Sequence, residues 1–590
     1  MNNFQFDYLF TTRVESWAMF RKPFHDFFSE FEIDTLFRSE RTFDPARRTV
    51  VFLSFENRFA SLGGLAAIAR LLPLQLHKNN ERTLLLTPLH SNHKKIRTAL
   101  EENCLKPVFT NERINLCSFS ATVDLYRDVM AEIPSYYIGV RRFFTAEDDP
   151  YAYPNEKDLL LDSLAFSAAV PFVLNRLGIT KNLVLHANDW ETAPVAITSK
   201  MAVLSNLVSS ARTVLTLHNS FDHGISNSEK VHFFGKSFPA QTILQSTIPL
   251  LNGPLTTVSG PFDYELRHDP LQSSIFTTHL QHLFSANPPI GVENGFFGKP
   301  RPPYHYNVIK RAALGDTGRL LEKKNRFREE LHQIISKERG KEVIGKLKLQ
   351  NSFKTPLLFM SGRLDLMQKG FDVIFHALKK RPKGSIKLLF CPSSASPEKL
   401  DFFKAIEKSC RGDIEIWPFR IPSEQYKKVL LGASFLVMPS FYEPFGAANE
   451  GFMHGTPVLA RGTGGLWVQV RPANRVKVPD YYNSASYIEG ALGEATGLLY
   501  REEYEARKWS GEWRECLELP PGRRVENKKY RSMVQAAGGA IDEAVKIFAD
   551  QVAYGKMISN GIRSLKHFSW DSAVEKYKTI YDHASFRGNV

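Results

Sequence analysis

The chain alternates short apolar runs with stretches of helical periodicity, and it does so twice. In the first half the apolar runs fall at 50–55, 83–88, 182–187, 213–218 and 255–259, with helix-patterned sequence such as "LAAIARLLPLQLHK" between them. In the second half they fall at 356–362, 386–391, 414–417, 434–440 and 456–461, again with helical segments such as "SEQYKKVLLGA". A buried strand followed by an amphipathic helix, repeated, can only close as a parallel sheet with helical crossovers. Two such runs predict an α/β chain of two Rossmann-like, doubly wound parallel-sheet domains, and 590 residues is too much for one core. The Pro-rich stretch "GKPRPPYHYNVIK" and the charged helix-patterned segment after it read as the inter-domain connection, dividing residues 47–320 from 321–566.

Ligands of open parallel sheets bind beyond the carboxyl ends of the strands, and two facing sheets would enclose a deep cleft. The polar residues that follow strand ends are therefore the candidates. Gly63 and Gly64 come after the first run, His186 and Asp189 end another, and His218 with Asn219 ends a third. In the second half Arg363, Glu443, and Gly464 with Gly465 hold the same place.

Each has an ordinary alternative. A glycine pair before a helix, as in "SLGGLAAI" and "GTGGLW", is an anion cradle or only a tight turn. Arg363 and Lys369, in "SGRLDLMQKGFDVI", are a surface pair or a clamp that neutralises a departing diphosphate. Glu443, in "SFYEPFG", is a loop acid or an acceptor for vicinal sugar hydroxyls. Glu450, seven residues on, reaches a ribose or serves the helix dipole.

Composition narrows the partners. The net charge of +14 is dispersed, and its local concentrations, "KKNRFREELHQ" and "KERGKEVIGKLK", are mixed with acids. That pattern suits a solvated helix face, or a phosphate-bearing substrate, better than a nucleic-acid patch. No zinc-finger spacing or RNA-binding aromatic signature occurs, and five scattered cysteines fit a reducing cytoplasm without a metal site. No basic region precedes a continuous apolar stretch at the start, and no window reads as a membrane span.

On these residues the chain resembles the retaining glycosyltransferases of the two-Rossmann (GT-B) class, and most of all the bacterial glycogen and plant starch synthases. The matching stretches run in family order from about 50 to 582: "SLGGLAAIARLLPLQL", "HANDWETA", "TLHNSFDHG", "TTVSGPFDYEL", "IGVENGF", "SGRLDLMQKGFDV", "MPSFYEPFGAANEGFMHGTPVLARGTGGL", "ATGLLY" and "FSWDSAVEKYKTIY". The resemblance implies Arg363 and Lys369 on the donor diphosphate and Glu443 on the glucose hydroxyls. It also implies donor contacts from Gly63, Gly64, Glu450 and the Thr463–Gly464–Gly465 turn. His186 matches the "HAHDW" strand end, and Asp158 in "NEKDLLLDSLAF" matches an acid near the acceptor. It implies too that residues 567–590 return as a helix to the first domain, and leaves residues 1–46 as an extension without counterpart.

The activity implied is transfer of glucose from a nucleotide-diphosphate sugar to the nonreducing end of an α-1,4-glucan, with no metal or other cofactor. ADP-glucose is favoured over UDP-glucose. Several positions depart from the family. Ser61 stands where a lysine is usual, and Asn188 replaces the second His of "HAHDW". Arg363 and Lys369 are one residue further apart than in the bacterial and plant form, as in the animal and fungal enzymes. The span "EPFGAANEGFMHG" is one residue short, and the basic segment near 501–530 has no clear counterpart. Two rivals remain: a GT-B hexosyltransferase with a small sugar, lipid or protein acceptor, and a catalytically weakened glucan-binding regulator.

Overall fold

The computed structural model describes residues 24–584 apart from 148, 298–300, 339, 341, 350–353, 394–395, 483–493 and 504–509. Residues 1–23 of the N-terminal extension, 504–509 of the basic segment and 585–590 thus lie outside the described residues. The chain divides into two compact units. Unit 1 takes the residues up to Val258, Phe276–Phe297 and those from Trp570 on; unit 2 takes Ser259–Ile275 and Gly298–Ser569.

Among the described residues unit 1 holds nine strands: β1 Thr49–Leu53, β2 Arg82–Pro88, β3 Leu105–Leu116, β4 Phe119–Asp128, β5 Ser135–Val140, β6 Leu183–Asn188, β7 Ala211–Leu217, β8 Leu255–Thr257 and β9 Ile290–Gly291. They order as β3-β4-β5-β2-β1-β6-β7-β8-β9. β1 lies between β2 and β6 in parallel register, Val51 facing Leu84 on one side and Leu185 on the other. All six residues of β6 are buried, as expected of a strand covered on both faces.

Every apolar run read from the sequence is a strand, but the sheet is mixed. β3 and β4 form an antiparallel hairpin that the sequence did not announce. Its turn is Cys117–Ser118 rather than a glycine or asparagine pair, with Cys117 at φ 52, and β3 is largely exposed.

The core of unit 1 packs Val50, Phe52, Val184 and Val214 against Trp570, Val574, Tyr577 and Tyr581 of the Trp570–His583 helix. Trp570 sits over Gly295, where a methyl carbon would lie 2.5 Å from the indole, and its Nε1 donates to the Phe296 carbonyl at 3.0 Å. The Glu30–Arg41 helix also belongs to this unit. It is started by a Ser29/Glu32 capping box and tied in by a Glu40–Arg212 ion pair of 2.9 Å, both side chains about 8% exposed.

One expectation is corrected. The Glu156–Arg176 helix is long and apolar enough to cross a membrane. Its apolarity serves the interior here, because 72% of its most apolar window is buried.

Unit 2 holds, among its described residues, β10 Ile344–Gly345, β11 Leu357–Arg363, β12 Lys387–Ser393, β13 Ile414–Ile416, β14 Phe435–Met438, β15 Val458–Arg461 and β16 Gly497–Tyr500. Their order is β10-β13-β12-β11-β14-β15-β16, all parallel except β10. Phe359, Leu389, Trp417, Leu436, Phe452 and Trp467 share its core.

The charged segment read as a connection is in fact integral to unit 2. Its Gly318–Lys337 helix brings Leu331 so close to Gly432 that a methyl there would lie 2.5 Å from the Leu331 Cβ. Conversely Ser259–Ile275, from the first half of the sequence, joins unit 2.

Candidate active site

In unit 2 the strand-end residues meet around two loops. β11 ends at Arg363, and Asp365 then organises the turn: its carboxylate accepts from the Met367 and Gln368 amides at 2.9 and 3.2 Å, and its carbonyl from the Lys369 amide at 2.8 Å. Gly370 follows at φ 54, where a methyl would lie 2.4 Å from the Pro439 carbonyl oxygen. Only glycine allows that approach, and it presses the Lys369 loop onto the loop after β14. The Phe441 amide donates to the Gln368 carbonyl at 2.7 Å and seals the two together.

The consequence is a Lys369 Nζ–Glu443 Oε2 ion pair of 2.8 Å, with side chains 20% and 13% exposed. Ser440 Oγ donates to the same carboxylate oxygen at 2.8 Å. Arg363 is half-buried and reaches toward Gln368. Burial raises the pKa of the Tyr442 hydroxyl, Asp365 and Glu443 raise it further and Arg363 opposes them, so these charges gather about one ring. A cation and a carboxylate in contact, with a guanidinium near, can serve a phosphate and a polyol together.

The Thr463–Gly464–Gly465 turn lies behind Glu443. Gly464 has φ 46, and a methyl there would lie 1.9 Å from the Glu443 carbonyl oxygen; one on Gly465 would lie 2.1 Å from that of Phe445. Its amides are engaged within the protein. Gly465 donates to the Glu443 carbonyl at 3.1 Å, and Gly464 donates to the Glu265 carboxylate at 2.9 Å. The helix it opens, Leu466–Gln469, has four residues. Glu450 is half-buried; desolvation raises its carboxyl pKa, and the Tyr426 hydroxyl hydrogen-bonds it.

Unit 1 shows a parallel arrangement. Glu56, three residues beyond β1, accepts from the Leu62 and Gly63 amides at 3.0 and 3.1 Å and from the Tyr151 hydroxyl at 3.2 Å. Gly64 caps the Leu65–Lys78 helix. Burial raises the Glu56 carboxyl pKa, with these donors opposing. Asp189 accepts from the His218 amide at 2.6 Å and from Asn219 Nδ2 at 3.1 Å, and burial pushes its pKa up to about 7.

His186, which the resemblance matched to a strand end, lies in the core of unit 1. It is wholly buried in β6, Nδ1 bonded to the Tyr581 hydroxyl at 2.7 Å and Nε2 to the Thr216 hydroxyl at 2.8 Å. Burial and His218 lower its pKa to about 3, so it is a neutral core imidazole. Asp158 stands in the first turn of the Glu156–Arg176 helix, where the helix N-terminus favours a carboxylate.

Glu56 and Glu265 escaped sequence reasoning. Glu56 carried a signal, an acid at a strand end seven residues before Gly63. Glu265 carried none, because its partners lie 198 and more residues away.

Comparison with known proteins agrees with the two-sheet architecture. The starch synthase catalytic domain profile matches residues 49–247, and the profile for glycosyl transferases group 1 matches 346–492. Similar proteins include the glycogen synthase of Thermosipho melanesiensis, 25% identical over 71% of this chain and 83% of that one. That of Kosmotoga olearia is 24% identical over 90% of this chain and 97% of its own. Among solved structures, the catalytic domain of starch synthase IV from Arabidopsis thaliana, bound to ADP and acarbose, superposes with a TM-score of 0.66 at 18% identity. The match covers 92% of this chain and 100% of that one, and at this identity it speaks to the fold. Profiles and relatives make the chain similar to glycogen and starch synthases, and with the sheet topology they support a glycosyltransferase of the retaining type with the GT-B two-domain fold.

Proposed function

We propose that this chain transfers glucose from a nucleoside diphosphate glucose to the nonreducing end of an α-1,4-glucan, in the cytoplasm, with ADP-glucose favoured over UDP-glucose. The observation that carries the reading is the Lys369–Glu443 pair anchored by Ser440, with Arg363 beside the same loop. Arg363 and Lys369 take the diphosphate and stabilise the charge that develops as it leaves. Glu443 accepts hydrogen bonds from sugar hydroxyls and favours the oxocarbenium-like centre. The acceptor hydroxyl then bonds to the anomeric carbon on the face the diphosphate leaves, and its proton passes to a phosphate oxygen. Configuration is retained without a protein base. ADP-glucose is favoured because the bacterial glycogen synthases and the ADP-bound plant starch synthase are similar to this chain over most of its length.

The test is elongation of glycogen and maltodextrin with each donor, in the wild type and in Arg363→Ala and Lys369→Ala. Loss of one charge-stabilising contact should lower kcat/KM by about a hundredfold or more. Absence of elongation with either donor would reject the glucan reading. A preference for UDP-glucose above about tenfold, some 1.4 kcal/mol at the transition state, would reverse the donor and leave the clamp intact.

A further inference from the structure

The Gly260–His268 helix lies far from the second sheet in sequence, yet it grips the loop that carries Glu443 from two directions. At its start, Ser259 Oγ donates to the Pro444 carbonyl at 2.5 Å. Further along, Glu265, 1% exposed, receives three donors: Thr463 Oγ1 at 2.9 Å, the Gly464 amide at 2.9 Å and the Tyr482 hydroxyl at 2.6 Å. One turn later Asp269 accepts from Arg501 Nη2 and the Tyr481 hydroxyl, each at 2.8 Å.

The contacts continue to the site. The next amide after Gly464, that of Gly465, donates to the Glu443 carbonyl, and no side chain fits between Gly464 and that carbonyl. A buried carboxylate is costly, and packing alone would be served as well by an apolar side chain. What a carboxylate adds is a fixed direction for three donors at once.

We infer that Glu265 is a positioning residue for Glu443: its carboxylate occupies the anion place of the Thr463–Gly464 turn and holds the turn so that Gly465 locks the Glu443 backbone. The turn is then a lever on the sugar-binding acid and not a phosphate cradle. This rests on the proposed role of Glu443. It differs from a phosphate role for the turn in a measurable way. Were the turn a phosphate site, removing the negative charge of Glu265 beside it would relieve repulsion of the phosphate and tighten nucleotide binding.

The experiment is Glu265→Gln in the full chain, with kcat and donor KM measured on glycogen and the affinities of ADP and UDP measured by calorimetry. The expected result is a kcat about tenfold lower, nucleotide affinities within threefold of wild type and donor KM nearly unchanged. A kcat within twofold of wild type overturns the inference, and so does ADP or UDP binding tenfold tighter. Should Glu265→Gln fail to fold, Ser259→Ala tests the other grip: about threefold lower kcat with unchanged nucleotide affinity is expected, and wild-type kcat overturns it. Glu443→Gln runs alongside. Wild-type kcat in that variant defeats the Glu443 reading itself, whatever Glu265→Gln shows.

Discussion

A single methyl group placed on Gly464 should disable transfer while leaving both units folded. In the structure that carbon would lie 1.9 Å from the Glu443 carbonyl oxygen, whereas contacts below 3.0 Å are essentially never made. Gly464→Ala must therefore push the turn and the Glu443 backbone apart by more than about 1 Å, and misplacements of that size cost about a hundredfold in rate. The left-handed φ of 46 adds roughly 1–2 kcal/mol of backbone strain for alanine, enough to lower the melting temperature and well short of a typical total stability. The assay is donor turnover with glycogen at saturating acceptor, with thermal unfolding as the fold control and ADP titration as the binding control. Turnover should fall by about a hundredfold or more while ADP affinity changes little. A folded variant within threefold of wild-type turnover would refute the claim that this turn sets the position of Glu443.

Glu443→Gln keeps shape and the Ser440 contact but gives up the charge that faces Lys369, so kcat should fall much more than nucleoside diphosphate affinity; equal losses would assign Glu443 to nucleotide binding. His186 should stay neutral on acidification: with its pKa lowered from 6.5 to about 3, the unfolded chain binds a proton there that the folded chain refuses. Its contribution to stability should therefore diminish as pH drops from about 6.5 toward 3, by up to ~1.4 kcal/mol per pH unit. An imidazole titration followed in selectively labelled protein with a midpoint above 5.5 would contradict this. Glu502→Gln should destabilise unit 2 by about 3–5 kcal/mol, because Arg461 at 2.9 Å and Lys529 at 3.2 Å, all at most 1% exposed, would lose their shared carboxylate. A shift in urea stability below about 1 kcal/mol would show the network to be redundant.

The parallel strands were legible because covered strands must be continuous apolar runs, and each run read from the sequence became one: β1, β2, β6, β7 and β8 in unit 1, β11 to β15 in unit 2. The glycines at 464 and 465 and the residues Arg363, Lys369 and Glu443 were also visible, as turn chemistry at strand ends. What was not legible depends on partners distant in the chain. The β3–β4 hairpin turns on Cys117–Ser118, a pair with no turn signature; β3 is largely exposed and β4 is half-buried, so the pair carries a weak pattern. That His186 bonds Tyr581, 395 residues away, in the core was not legible from its place at a strand end.

The sequence by itself determined two strand-and-helix units and the identity of the loops that bear charge, because hydrophobic period and backbone freedom are local properties. Tertiary structure alone decided which charges meet. It set Lys369 on Glu443 across 74 residues, and it brought Glu265 across 199 residues to the Gly464 amide. A carboxylate's role is set by the donors that surround it, and those are chosen by packing rather than by neighbours in the chain.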